Sequence, residues 1–438
     1  MRGRRHATNV TAALCAGLLV ASGACTNEDS AEGGSDGADG ADDSGAADDS
    51  TGITDDTIRI GWPALDQAAL VEAGLATDLG DPTAIAQAIV DDWNADGGVN
   101  GRRVELVTSV YGTDVANILS DMQATCLTLT EDEQVFATAA FAWFGDAVTC
   151  MAGDHGTPLV TMTSLPSTVL DTGDDNIFLA NFMWEEAMRS SVRVLDEAGE
   201  LDGFERIGVF GPLEPGMQEA VDDGLGPALD EAGTEIAADG LIPFGVPVDN
   251  AAVAAVVSRF KSEDVDAVFA VGSFFYNGAF MTEAQRQDYH PTYVMSDMSE
   301  GTDDLILAFA PPEQLANAIG ASWKGKVPEP APTEADQACI DTYAPDARGS
   351  VTQEIGAAQI CELLELTRLG LEGAGDTPTR GGFVEAMEGV GDFTTSGGGR
   401  GSYGPDDHTM PDQVRLVRFD LEGCRCWSSE GDWIDVDG

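Results

Sequence analysis

Basic side chains are what this chain of 438 residues has least of: 21 Lys and Arg stand against 77 Asp and Glu, for a formal net charge of −56. Three of the 21 are lysines, namely Lys261, Lys324 and Lys326. A nucleic-acid binder needs a basic face to displace phosphate counterions, so that class is excluded. The same shortage argues against adsorption to anionic lipid surfaces. Histidine is scarce too: His6, His155, His290 and His408 are scattered along the sequence, and no metal site is expected. Neither a Gly-x-Ser-x-Gly elbow nor a His-Glu-x-x-His motif occurs. Gly399-Arg400-Gly401-Ser402-Tyr403-Gly404 fits G-x-G-x-x-G, but no strand precedes it and no helix follows, so it reads as a flexible connection. With 77 carboxylates, acidic pairs arise by chance and do not mark catalysis. Neither an enzyme nor a cofactor is expected.

Apolar residues, in contrast, make up 43% of the chain and charged ones 22%, which is enough for a folded body of two or three domains. The acid excess reads either as a heavily hydrated, halophile-like surface or as plain like-charge solubility.

The first 25 residues read as an export signal. Arg2, Arg4 and Arg5 form a positive start, and Thr11 to Ala24 is uncharged and too short to span a bilayer comfortably. No later run is long and apolar enough to cross. Ser22-Gly23-Ala24-Cys25 resembles a bacterial lipoprotein signal, in which Cys25 becomes the lipidated first residue; Ser22 stands where that pattern prefers Leu or Val. An ordinary cleavable signal is the alternative. Residues 26–56 follow as an acidic tether, whose Gly, Ala, Ser and Asp content offers no apolar area to offset ordering.

Eight cysteines are present. Beside Cys15 in the signal and Cys25, six remain in the body, an even number that fits three disulfides of an exported protein. Cys126 with Cys150 and Cys339 with Cys361 are the simplest local pairs. Cys424 and Cys426 would close a very tight ring or pair elsewhere.

Strand and helix patterns alternate in two successive runs. Strands are expected at 57–62, 104–107, 135–139 and 158–162, with helices at 81–93, 114–129 and 143–151 between them. The rhythm restarts with strands at 206–210, 236–242, 267–271 and 292–295 and helices at 217–232, 249–263 and 278–287. Further helices are expected at 353–371 and 383–388, and strands at 414–419 and 433–436. The fold class is therefore α/β, with two doubly wound parallel-sheet lobes and a binding cleft between the carboxyl ends of their strands.

The segment from Thr57 to Val107 resembles the opening of type I periplasmic binding proteins of the leucine/isoleucine/valine-binding kind. The block Asn94-Ala95-Asp96-Gly97-Gly98-Val99-Asn100-Gly101-Arg102-Arg103-Val104 carries the resemblance. It implies a three-crossover hinge, with residues 57–182 plus 332–395 in the N-terminal lobe and 183–331 plus 414–438 in the C-terminal lobe. The spacing of Cys126 and Cys150 also resembles a disulfide of that family. The resemblance implies capture of an amino acid, amide or related small molecule for an ABC permease. Asp66, Gln67, Ala140, Phe141, Thr163, Ser164, Glu214, Tyr276 and Asp297 become ligand candidates. Asp297 would accept an ammonium, and Thr163 and Ser164 would donate hydrogen bonds. Ala139-Ala140-Phe141 replaces the hydroxyl residues usual after strand three, which disfavours a plain α-amino acid. The charge disfavours an anionic solute unless Arg or backbone N–H groups line the cleft, and leaves neutral, zwitterionic and cationic ones open. A sensor of the same fold, a lipoprotein enzyme and an adhesive surface protein are the alternatives. An extracytoplasmic, lipid-anchored location is expected, with the anchor the one membrane contact.

Overall fold

The computed structural model describes residues 50–72, 78–114, 117–173, 175–245, 247–326 and 328–436. The expected signal, Cys25 and the tether up to residue 49 lie outside the described residues. A first run comprises β1 (Thr57–Leu65), α1 (Gln67–Glu72), α2 (Pro82–Ala95), β2 (Arg103–Tyr111), α3 (Ile118–Leu127), β3 (Ala137–Ala140), α4 (Asp146–Val148), β4 (Leu159–Thr161), α5 (Ser167–Leu170) and β5 (Ile177–Leu179). Its strands form one parallel sheet in the order β2-β1-β3-β4-β5.

A second run follows: α6 (Trp184–Glu197), β6 (Ile207–Leu213), α7 (Met217–Ala220), α8 (Gly226–Glu231), β7 (Ile236–Pro243), α9 (Asn250–Ser262), β8 (Ala267–Ala270), α10 (Phe274–Arg286), β9 (Thr292–Ser296) and β10 (Ile319–Ser322). The chain then returns to the first sheet with α11 (Glu334–Tyr343), α12 (Val351–Gly373) and α13 (Arg380–Glu388), and α12 packs on β3 and β4. A two-stranded ribbon, β11 (Phe393–Thr394) with β12 (Arg400–Gly401), precedes β13 (Gln413–Asp420) and β14 (Cys426–Asp435). These last two join the second sheet antiparallel, in the order β14-β13-β10-β9-β8-β6-β7.

Each sheet has a core on both faces. Phe178 packs with Ile60, Trp62 and Leu363 on one face of the first sheet, while Ile177 and Leu179 pack with Trp143 and Met151 on the other. This is why β3, β4, β5 and β8 are buried at every position, Thr138 and Thr161 included.

Helix starts follow the expected chemistry. Asp81 caps α2 by accepting from the Ala84 N–H at 2.9 Å, Pro82 occupies the first turn, and Ile85, Ile89 and Trp93 are buried. The Asn-Gly block has a concrete task. The Asn94 amide pairs with both backbone groups of Val104, at 2.8 Å each. Asn100 sits at φ 49° and its Nδ2 donates to the carbonyls of Leu371 and Gly375, both at 3.0 Å, which end helix α12. The motif thus closes the turn into β2 and caps a helix some 270 residues away in sequence.

Several elements differ from the sequence reading. Helix α10 starts at Phe274 rather than at Gly278, so Phe274, Phe275 and Tyr276 ride its first turn instead of a loop. Strands β5 and β10 and helix α11 were not expected. The G-x-G-x-x-G stretch is ordered: Arg400 and Gly401 pair in the ribbon, and Tyr403 enters the first core.

The chain passes between the sheets three times, after β5, after β10 and before β13. These passages are laced together. Leu179 and Met410 exchange backbone bonds with their neighbours, Leu179 N–H to the His408 carbonyl and Met410 N–H to the Leu179 carbonyl, each at 2.8 Å. The Trp323 indole N–H donates to Asn181 Oδ1, and the Trp323 ring packs edge-on against Phe182 at 4.7 Å.

Three disulfides close: Cys126–Cys150, Cys339–Cys361 and Cys424–Cys426. Their sequence separations are 24, 22 and 2, so loop-closure entropy ranks them. Replacing Cys126 and Cys150 together by alanine should cost about 3 kcal/mol or more, and the same change at Cys424 and Cys426 about 1 kcal/mol. Urea denaturation of the two variants checks the ranking; equal costs would contradict it.

Candidate functional site

In an open parallel sheet a crevice forms where neighbouring strands send their connections to opposite faces, beyond the carboxyl ends. In the first sheet that point lies between β1 and β3, where Leu65-Asp66-Gln67 and Ala140-Phe141 leave the sheet. In the second it lies between β6 and β8, where Leu213-Glu214 and Val271-Gly272-Ser273 leave. The lobes touch in front of these ends. A Cβ on Gly216, which sits at φ +84°, would lie 2.5 Å from Pro166 Cγ and 2.9 Å from Thr168 Oγ1. A second link joins Ser167 to Glu185 on α6, whose carboxylate accepts the Ser167 hydroxyl at 2.7 Å.

The candidates fall into two groups. Asp66, Phe141, Thr163, Ser164 and Glu214 lie on loops at the strand ends of the two sheets, and Gln67 is the first residue of α1 beside them. Asp66 Oδ1 accepts the Ala69 N–H at 3.0 Å and so starts helix α1. Thr163 Oγ1 accepts the Trp143 N–H at 2.9 Å. Ser164 is buried, and its hydroxyl has no hydrogen-bond partner among the described residues. Glu214 is half-buried, and burial lifts its carboxyl to about 7.

Ala140, Tyr276 and Asp297 are turned to the protein instead. Ala140 is fully buried in the core with Tyr111 and Trp143, so its methyl group is a packing group and not a cleft surface. The Tyr276 hydroxyl is used twice by its own chain: it accepts the Gly245 N–H at 2.8 Å and donates to the Gly245 carbonyl at 3.0 Å. Asp297 is wholly buried and saturated. Its Oδ1 accepts Lys326 Nζ at 2.9 Å and the Thr302 hydroxyl. Its Oδ2 accepts the Ser322 hydroxyl at 2.6 Å and the backbone N–H groups of Trp323 and Lys324 at 2.9 and 3.0 Å. Burial alone would raise its pKa; the Lys326 and Lys324 charges and the hydroxyl bonds outweigh that and hold it well below the usual carboxylate range. An ammonium ligand for Asp297 is therefore already supplied by Lys326, and the expectation that a solute occupies it is corrected.

Residues 50–425 match the family model of periplasmic binding proteins. The chain belongs to the periplasmic binding protein family. Its fold is the type I arrangement of two parallel-sheet lobes, and solved structures of that arrangement superpose on it. An ABC-transporter solute-binding protein of R. palustris in complex with 4-hydroxybenzoate is 13% identical, with a TM-score of 0.67 over 87% of this chain and 97% of that one. The branched-chain amino acid transporter substrate-binding protein of Streptococcus pneumoniae, in complex with isoleucine, is 18% identical, with a TM-score of 0.61 over 85% and 99%. A fatty acid ABC transporter substrate-binding protein of Thermomonospora curvata is 16% identical, with a TM-score of 0.64 over 88% and 94%. No curated protein matches the sequence. Among the described residues no helix of this binding protein is long and apolar enough to cross a membrane.

The hinge of this periplasmic binding protein holds residues that the sequence reading missed. Met162, Ala180, Trp323, Glu362, Ser396 and Pro411 line a small cavity of about 10 Å³, and Lys324 borders it. Glu362 is buried there; one carboxylate oxygen accepts the Ser396 N–H at 2.9 Å and the other has no hydrogen-bond partner among the described residues. Burial lifts its carboxyl to about 7, against the hydrogen bonds from Ser396. One signal was available: two of three lysines in the whole chain stand two residues apart, in a crossover. Nothing comparable marks Glu362 among 29 glutamates.

Proposed function

We propose that the protein is an extracytoplasmic solute receptor, lipid-anchored through Cys25, that captures a small polar or amphipathic molecule between its lobes for an ABC permease. The observation that carries this reading is the meeting of the lobes in front of their strand ends, where Gly216, on the switch-point loop after β6, lies against Pro166 on the loop after β4. A solute held there touches both lobes and adds stability to the closed state by its differential affinity for it. The solute-binding relatives with hydroxybenzoate and isoleucine support it as analogues of the same architecture. The charge-free segment before Cys25 and the acidic stretch after it support export and tethering.

The mechanism is hinge bending. The three laced passages guide the lobes, the orphan Ser164 hydroxyl and Thr163 offer polar contacts, and Phe141 offers apolar surface. A thermal-shift screen of amino acids, amides and small aromatic acids tests the reading. A true ligand at 100 times its Kd adds about 2.7 kcal/mol. Absence of any stabilising compound, with scattering profiles that never change, would defeat the receptor reading.

A further inference from the structure

The strand-end loops of the cleft have an uneven charge inventory. Residues 63–67, 140–144, 162–168, 213–216 and 271–276 contain two carboxylates, Asp66 and Glu214, and no Lys, Arg or His. Asp66 is engaged as the cap of α1. Asp297, the acid directly after β9, has its own lysine. Glu214 differs from both. It stands at the switch point of the second sheet, two residues from the glycine at which the lobes touch. It is half-buried, and no cation of the protein offsets its charge among the described residues.

Its surroundings add to this. Tyr276 is close enough for the Glu214 charge to act on its hydroxyl, and Phe244 stacks on the Tyr276 ring at 6.4 Å. A half-buried carboxylate without a cation, beside aromatic rings, costs free energy in its charged form, and either a proton or a cationic ligand relieves that cost. An anionic solute, in contrast, would find no side-chain cation in these loops and a chain of net charge −56 around it.

We propose that the solute is a net cation, whose protonated nitrogen seats on the Glu214 carboxylate at the switch point of the second lobe. This rests on the receptor reading above. Thr163 and Ser164 then serve neutral polar groups at the other end of the molecule, from the first lobe. Glu214 thus takes the task that the sequence assigned to Asp297.

The ligand need not be identified before the test. Yeast extract is separated by ion exchange at neutral pH into cationic, uncharged-or-zwitterionic and anionic pools, and each is added to the full protein in a thermal-shift assay. The cationic pool should stabilise the protein, and Glu214→Gln should abolish that shift while keeping the melting temperature of the untreated protein within a few degrees. Each cation recovered from the complex by mass spectrometry should bind Glu214→Gln at least 10-fold more weakly. Stabilisation by the anionic or the uncharged pool, or an undiminished response of Glu214→Gln to the cationic pool, overturns the inference and leaves the receptor reading standing. No shift with any pool overturns both.

Discussion

Replacing Asp297 by asparagine should cost about 3–5 kcal/mol of unfolding free energy. The carboxylate is wholly buried and receives five hydrogen bonds from Lys326, Thr302, Ser322, Trp323 and Lys324. Lys326 is itself 3% exposed. Its other acidic neighbour, Asp303, is 3.4 Å away. Removing the Asp297 charge leaves an ammonium in the interior with this longer contact alone, and an unpaired buried charge is far more costly than the pair is stabilising. Adding Lys326→Met to Asp297→Asn should therefore restore a large part of the loss. Urea denaturation of both variants measures this. A cost below about 1 kcal/mol for the single change would mean that Asp297 is not a structural anchor of the second crossover, and would reopen it as a ligand group.

Glu362→Gln should do the reverse, and in a pH-dependent manner. With its carboxyl lifted to about 7, the folded protein holds this proton where the unfolded chain, at an ordinary value of 4.5, has released it. Its ionisation therefore costs nothing to the fold below pH 4.5, and the cost grows as pH rises toward 7 and is complete above it. The full cost is about 3 kcal/mol. Glutamine keeps an acceptor for the Ser396 N–H without a charge to desolvate. The variant should match the wild-type protein at pH 4.5 and exceed it by about 1–3 kcal/mol at pH 8. Two charged groups facing Glu362 act on its carboxylate and lose that effect in the glutamine variant: Asp336, whose own carboxyl burial lifts to about 6, raises the Glu362 pKa, and Lys324 lowers it. Parallel stability curves for the two proteins across this range would refute the assignment.

The fold was legible where pattern is long and chemistry is local. Pro82 after Asp81 marks the start of α2, and the continuous runs around Ile60, Ala139 and Val268 mark strands buried on both faces. The Asn94–Val104 block announced a tight turn, but not that Asn100 reaches the end of α12, because nothing local records a partner so distant. The cleft was legible as a set of loops. What each side chain does in it was not. Asp297 and Glu214 are both acids just after a strand; they differ because Lys326 comes from another crossover to one and no lysine comes to the other. That difference is three-dimensional. Ala140 shows the same limit, since whether a strand-end residue faces core or cleft depends on where the last pleat falls.

The lacing of the crossovers has a mechanical consequence. A single linker between two bodies leaves sliding, twisting and bending all open. Here two passages are stitched to each other by the Leu179, His408 and Met410 backbone bonds, and the third is pinned by Trp323 to Asn181. Parallel straps joined side by side resist shear and torsion but still flex about one line. In the proposed closure the lobes then travel along a single path, with Gly216 meeting Pro166 in one register. Finding the closed geometry becomes a one-dimensional search, and less orientational freedom remains to be lost when a solute is clasped.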